Sequence, residues 1–258
     1  MRRRLILATG VAALALAAPA GAEAPPAQLL HAEQQTAAAT SVRVTMGMSM
    51  RTAGQSLHFT ASGVERLKAH EASMVVDMSK VDPTLGKMRM LAIGSRYYIH
   101  YDLLDTLHKT RPQVKPWIVA DSVSAVGFDP WSLGDVTSMG AASGYKLLGT
   151  TNGVSRYSAK VDLRSAVNAN PQLKQLFDQA ASLAPSALGK PVPVVLYVGS
   201  DGYLDRLVER VTMSVAGEPL AMTVDLRFTD FNVDPGPVAA PSANDVMTLA
   251  QFKQIANG

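Results

Sequence analysis

Residues 42–102 decide the fold, and they contain VRVTMGMSM (42–50), SLHFTASGV (56–64), HEASMVVDMS (70–79), KMRMLAIG (87–94) and RYYIHYD (96–102). Each piece alternates apolar residues with small or polar ones, which is the period of a strand with one buried face. In the first piece the odd and even positions separate cleanly, because Val44, Met46 and Met48 share one face while Thr45 and Gly47 share the other. Short turns between successive pieces predict an antiparallel meander.

Methionine is unusually frequent in these strands. Seven of the 12 methionines fall between positions 46 and 90, all on predicted apolar faces. Valine and isoleucine favour strands more, whereas methionine is flexible and has a polarisable sulfur that adapts to its neighbours. Two interpretations follow: a methionine-filled core, which is common for apolar strand faces, or a surface that accepts ligands of variable shape, such as acyl chains.

The N-terminus has the pattern of a secretory signal peptide. Arginines at positions 2–4 precede an apolar run at residues 5–18, and small residues follow, with cleavage expected after Ala20 or Ala22. We therefore divide the chain into a signal peptide at residues 1–22 and a single domain at residues 23–258. No stable transmembrane segment is expected after cleavage, so the localisation predicted is the cell envelope, periplasmic space or exterior.

Charge and cysteine content exclude several classes of function. Three of the 24 Lys and Arg lie in the signal peptide, which leaves 21 against 21 Asp and Glu, so nothing favours nucleic acid as a partner. The chain has no cysteine, which excludes disulfides, thiolate metal sites, cysteine nucleophiles and a lipid-modified cysteine.

Catalytic and metal motifs are also missing from the sequence. There is no G-x-S-x-G or H-E-x-x-H motif, and His70-Glu71 lacks a second histidine. The five histidines lie on separate elements and are interpreted as surface or rim residues. We expect no enzyme activity, catalytic residue, cofactor or metal, although serine, aspartate and histidine could still meet in space as a dispersed hydrolase triad.

The remaining elements alternate helices and strands. Helices are predicted from Pro26, after Asp102 as a cap, from Asp129-Pro130 and over residues 246–255, and the strongest begins at Asn170 with Leu173, Leu176 and Phe177 on its apolar stripe. Residues 111–119 are expected to lead into a short edge segment. Asn152-Gly153 predicts a hairpin, and residues 192–229 contain further strands before an extended proline-rich tail. About ten strands with interposed helices give an α+β domain.

The order of these motifs resembles the actinobacterial LppX/LprAFG envelope proteins, which have a LolA-like fold. The resemblance covers the mature chain and rests on SVRVTM, a DM ending the third strand, KMRML before a tyrosine strand, KPW, an amphipathic helix, VPVVLYVGSDGYLDRL and VDLRFTDFN with its V-x-x-P tail. It implies a strongly curved antiparallel sheet, a half-barrel, with helices covering a hydrophobic cavity. Family members bind and transport lipids or lipoglycans in the cell envelope.

Carried onto this sequence, the resemblance implies a lipid-binding cavity lined by strand and helix residues. They are Met46, Met48, Met50, Phe59, Met74, Val76, Met78, Met88, Met90, Leu173, Leu176 and Phe177. Many relatives are tethered through a cysteine after the signal peptide, whereas Gly21, Ala22, Glu23 and Ala24 stand here, so a soluble form is expected.

Two partner predictions follow. The leading one is an acyl lipid or lipoglycan, exchanged with an envelope transporter or membrane partner protein. The alternative is an envelope sensor or regulatory module of the same fold that binds a protein partner.

Overall fold

A computed structural model describes residues 24–52, 55–81, 83–84, 86–121, 142–162, 191–215 and 218–257. The predicted signal peptide, the predicted helix at Asp129-Pro130 and the predicted helix that contains Leu173, Leu176 and Phe177 lie outside these residues. Among the described residues, no helix combines the length and hydropathy needed to span a membrane.

The described residues form three α-helices and twelve strands. The helices are α1 (Ala27–Ala38), α2 (Asp102–Thr110) and α3 (Leu249–Asn257). The strands are β1 (Val42–Thr52), β2 (Gln55–Arg66), β3 (Glu71–Asp77), β4 (Lys87–Ile93), β5 (Arg96–Tyr101), β6 (Trp117–Ala120), β7 (Ala142–Thr151), β8 (Val154–Val161), β9 (Val192–Val198), β10 (Leu204–Val215), β11 (Glu218–Thr229) and β12 (Val246–Thr248).

All twelve strands belong to one curved, open sheet in the order β12-β6-β5-β4-β3-β2-β1-β11-β10-β9-β8-β7. The α+β class and the half-barrel shape predicted from the sequence are confirmed. Strand β1 lies inside the sheet, where it joins the consecutive strands β2–β6 to the consecutive strands β7–β11. The prediction of an entirely antiparallel sheet is wrong at one edge, because β12 pairs with β6 in parallel.

That parallel pair corrects two local predictions. Residues 246–248 extend the sheet instead of starting the terminal helix, so α3 begins only at Leu249. Strand β6 consequently has neighbours on both sides and is not an edge strand. Neither result was readable from local sequence, because the pairing joins segments more than a hundred residues apart.

The structure confirms the predicted hairpin at Asn152-Gly153 but not the predicted cap of α2. Asn152 and Gly153 have φ values of 52° and 79°, as the tight hairpin between β7 and β8 requires. The cap predicted at Asp102 is wrong: Tyr101 is the N-cap, and no side chain caps α2. The Asp102 carboxylate instead accepts a hydrogen bond of 2.9 Å from the Lys87 backbone N–H.

Helix α1 is fixed against the strands β8–β10 by apolar and polar contacts. Leu29 and Ala32 are fully buried in the main core. Tyr157 donates a 2.6 Å hydrogen bond to Gln28, and the backbone N–H of Leu204 donates to the Thr36 hydroxyl at 3.0 Å. The helix therefore covers the sheet near the start of β10.

Helices α2 and α3 form a second core at the other end of the sheet. Leu104 of α2 packs with Val114, Ile118 of β6 and Met247 of β12, and Phe252 of α3 borders this cluster. The apolar residues of α3 therefore pack against β6 and β12 at this end of the sheet, and not against the methionines of β1, β3 and β4.

The segment after β11 is anchored to the sheet by hydrogen bonds, although residues 233–242 have no regular structure. Asn232 accepts a 2.8 Å hydrogen bond from the Thr40 backbone N–H. Further on, the backbone N–H of Val238 donates to the Glu71 carboxylate at 3.1 Å, and Arg66 donates to the same carboxylate at 2.5 Å. These contacts hold the tail beside β3.

Candidate functional site: the apolar face of the sheet

The strand register aligns apolar side chains into rows that cross most of the sheet. One row runs over nine strands from β8 to β5 and consists of Tyr157, Leu196, Leu207, Leu226, Met46, Ala61, Val76, Met88 and Tyr101. Residues opposite one another in neighbouring strands point to the same side of a sheet. We call the side that carries this row the apolar face. With about 4.8 Å between strands, the row extends over roughly 38 Å.

A second row on the apolar face contains more of the methionines. It consists of Phe228, Val44, Gly63, Met74, Met90, Ile99, Ile118 and Met247, from β11 to β12. The two rows are two residues apart along each strand, and together they extend the apolar face toward α2 and α3.

All nine residues predicted from the strand pattern to line a cavity lie in or against one core cluster, eight of them on strands of this face and Met78 directly after β3. Six of them are buried, namely Met46, Met48, Phe59, Met74, Val76 and Met90. The other three, Met50, Met78 and Met88, are partly buried and pack against the buried set. The structure therefore brings these nine side chains together on one core.

Gly63 allows two strands to approach closely in the middle of the apolar face. A Cβ atom at this position would collide with the backbone oxygen of Ser73 and lie 2.7 Å from Cγ of Met74. Gly47 on the adjacent strand lies on the opposite face and has open space, with nothing within 4 Å. Met74 thus occupies the volume that a side chain at position 63 would need.

Glu209 is a polar exception on the apolar face, which the sequence interpretation missed. On β10 it lies between Leu207 and Val211, opposite Val194 and Val224 in the neighbouring strands. Its side chain is 3% exposed, and Oε2 is enclosed without a hydrogen bond from any residue that the structure describes. Strict alternation along β10 was the signal that could have found it.

Burial changes the protonation of Glu209. Removal from water disfavours the carboxylate and raises the pKa of this side chain from 4.5 to about 8. At neutral pH the carboxyl group is therefore mostly protonated, so that it can both donate and accept a hydrogen bond.

The opposite face of the sheet carries a groove of about 440 Å³. Its lining comes from five adjacent strands and consists of Thr45, Gly47, Thr60, Ser62, Val75, Asp77, Lys87, Asp225 and Arg227, with Met46 and Ala61 also bordering it. The groove lies on the side opposite the cavity predicted from the sequence, since the first nine of these residues alternate with the apolar row.

An ion pair between Arg206 and Asp225 borders the groove. Arg206 donates two hydrogen bonds of 2.7 Å to Asp225, and its guanidinium lies 5.0 Å from the centre of the Tyr197 ring. Burial by itself raises the pKa of Asp225, but the hydrogen bonds and charge of Arg206 outweigh burial and hold that pKa below its usual range. Arg206 and Asp225 therefore form a doubly hydrogen-bonded ion pair that orders this face.

His100, Asp102 and Asp105 bring potential metal ligand atoms within 4.8 Å of one another. His100 is buried, contrary to the prediction of a surface or rim histidine, and its ring packs against Trp117 at 5.1 Å between centroids. Nε2 of His100 hydrogen-bonds to Asp105 at 2.9 Å, while Asp102 receives the Lys87 N–H. These hydrogen bonds join the first turn of α2 to β4 and β5.

Comparisons with known proteins return solved structures only. No protein-family model matches the chain, and no curated protein matches it. The chain is similar to LprF from Mycobacterium bovis, with 13% identity over 86% of this chain and 99% of that chain and a TM-score of 0.47. It is also similar to the Mycobacterium tuberculosis lipoprotein LppX, with 14% identity over 84% and 100% of the two chains and a TM-score of 0.47. The resemblance inferred from the sequence is to the family that includes these two proteins.

A third similarity is more distant. A putative outer membrane lipoprotein-sorting protein domain from Vibrio parahaemolyticus has 10% identity over 90% of this chain and 97% of that domain, with a TM-score of 0.30.

Proposed function

We propose that this protein binds acyl lipids or lipoglycans on the apolar face of its sheet and carries them within the bacterial cell envelope, without catalysing a reaction. The observation that supports this function is the continuity of the apolar face over nine strands, with methionine at its centre in β1, β3 and β4. Helix α1 packs against β8, β9 and β10, at one end of this face of roughly 38 Å.

The dimensions and chemistry of the face suit acyl chains. From Val44 to Met50 it extends about 20 Å along the strand, which exceeds the roughly 15 Å of one acyl layer in a bilayer. Each buried methylene contributes about 0.8 kcal/mol, so two long chains would be retained firmly even after the ordering costs of binding. Flexible methionine side chains adapt to chains of different length and unsaturation.

Native mass spectrometry of the mature protein from its own host tests this function. Discrete added masses that yield acyl lipids on extraction are the expected result. A clean apo mass, together with failure to take up long-chain lipids in vitro, would show that the apolar face is an ordinary core and would refute the proposal.

Two variants on one strand localise the binding surface. Ala61 is buried on the apolar face between Met46 and Val76, whereas Ser62 is exposed on the opposite face. Ala61→Phe is expected to reduce lipid uptake by filling volume, while Ser62→Phe leaves uptake unchanged. Equal uptake by two folded variants would contradict the assignment of the apolar face.

Export is part of the same proposal. The basic and apolar segments at residues 2–4 and 5–18 support secretion across the cytoplasmic membrane, with delivery of cargo to a transporter or membrane partner. N-terminal sequencing of the secreted protein tests this step. A mature chain that begins after Ala20 or Ala22 is expected, and an intact N-terminus on protein from the envelope would contradict it.

A further inference from the structure

We infer that Glu209 is a polar recognition point within the apolar face and that its carboxyl group hydrogen-bonds to an ester carbonyl of the bound acyl lipid. This inference rests on the proposed lipid-binding function and adds a preference for acyl esters over plain hydrocarbon.

The position of Glu209 supports this role. The strand register places it in one row with Val194, Val224, Met48 and Phe59, on the side of the sheet that carries the methionines. Two strand spacings separate it from Met48, which corresponds to about 10 Å. A lipid chain in contact with Met48 would therefore bring its neighbouring polar atoms within reach of the carboxyl group.

The isolation of Glu209 is costly for the protein without ligand. Oε2 is enclosed, and no residue that the structure describes hydrogen-bonds to it. An unsatisfied buried polar group costs about 1–3 kcal/mol, and its strand neighbours Leu207 and Val211 show that an aliphatic residue suits this face. Since none of the described residues satisfies Oε2, we assign its hydrogen-bonding partner to a bound ligand.

The chemistry of the site favours a neutral partner. The residues opposite Glu209 in the flanking strands are both valines, so neither strand neighbour brings an opposite charge. In such surroundings a carboxyl group is neutral and carries one O–H donor. A carbonyl oxygen accepts that donor, and an ester is the neutral carbonyl group that accompanies acyl chains in glycerolipids.

The test compares three ligands and three variants. Diphenylhexatriene is a fluorescent hydrocarbon without polar atoms, and its binding reports on the apolar face alone. Methyl oleate and the corresponding alkene then compete with it, so the ratio of their affinities measures the contribution of the ester. Glu209→Met removes the carboxyl group at similar volume, Glu209→Gln keeps a donor and an acceptor, and Leu207→Met changes packing on the same strand and face.

Wild-type protein is expected to bind methyl oleate more tightly than the alkene. In Glu209→Met the ratio of these two affinities should fall roughly tenfold, while the variant still binds diphenylhexatriene. Glu209→Gln should retain most of the preference, and Leu207→Met should change both affinities alike. An unchanged ratio in Glu209→Met, or an equal loss in Glu209→Gln, would overturn the inference. Failure of wild-type protein to bind diphenylhexatriene would instead refute the proposed function itself.

Discussion

The protonation of Glu209 predicts how the stability of this protein depends on pH. The pKa of this carboxyl group is raised by burial to about 8 in the folded state, against 4.5 when it is exposed. The folded protein therefore binds the proton more tightly than the unfolded chain between these two values. By linkage, the contribution of Glu209 to stability is fully present below about pH 4.5 and is lost as the pH rises through about 8.

The size of this effect follows from the difference between the two pKa values. One pKa unit corresponds to 1.36 kcal/mol, so the whole window amounts to about 5 kcal/mol. Between about pH 5.5 and about pH 8.5, the expected decrease in the free energy of unfolding is about 3 kcal/mol. Such a change is large compared with the 5–15 kcal/mol typical of a folded domain.

Urea denaturation of the wild type and Glu209→Gln at both pH values measures this decrease. Glutamine is neutral throughout, so the variant should lack the 3 kcal/mol component while every other titrating group contributes equally to both proteins. Asp205, whose pKa is also raised by burial and then by Asp201, cancels in this comparison. If the wild type and the variant lose the same stability between the two pH values, the carboxyl group of Glu209 is not held in its neutral form by burial.

Three further predictions concern packing, the tail and the opposite face. Gly63→Ala should lower the free energy of unfolding by about 1–3 kcal/mol, because the added Cβ meets the backbone of Ser73. Gly47→Ala should leave the free energy of unfolding unchanged, because its Cβ enters open space. Equal urea midpoints for the two variants would contradict this prediction. Glu71→Ala should accelerate amide hydrogen exchange at Val238, since the Glu71 carboxylate accepts that N–H, and unchanged exchange would show that the tail is held by other contacts. Asp225→Asn should cost about 1 kcal/mol or less near neutral pH because Arg206 and Asp225 are partly exposed. The difference from wild type should shrink in acid, as the pH falls through the lowered pKa of Asp225, and a constant difference in acid would contradict that lowered pKa.

Much of the sheet was predictable from local sequence. Period-two alternation in β1 and β11 identified both faces correctly, because one-sided burial imposes that pattern directly on the residues. Asn152-Gly153 identified its hairpin for a similar reason, since few residue pairs accept two positive φ values.

Other features depended on contacts between distant segments. The parallel pairing of β12 with β6 joins Met247 to Ile118, and no local pattern encodes such a partner choice. Likewise, the burial of His100 follows from Trp117 packing against it from the adjacent strand.

Glu209 was missed for a different reason. It is a charged residue type on a face otherwise read as apolar, and hydropathy favours placing it in solvent. Alternation with Leu207 and Val211 places it on the apolar face, and the register with Val194 and Val224 shows the same direction.

The position of β1 has a consequence for how the chain assembles. Its two partners are β2, which follows immediately, and β11, which pairs Phe228 with Val44 across most of the sequence. A chain synthesised from its N-terminus can pair β1 to β5 early, yet one edge of β1 has no partner until residues 218–229 arrive. Sheets that wait for such distant pairings fold slowly, and their open edges bind strands of other chains. The most methionine-rich strand of the sheet is thus left with an open edge, and a risk of aggregation, until the chain is almost complete.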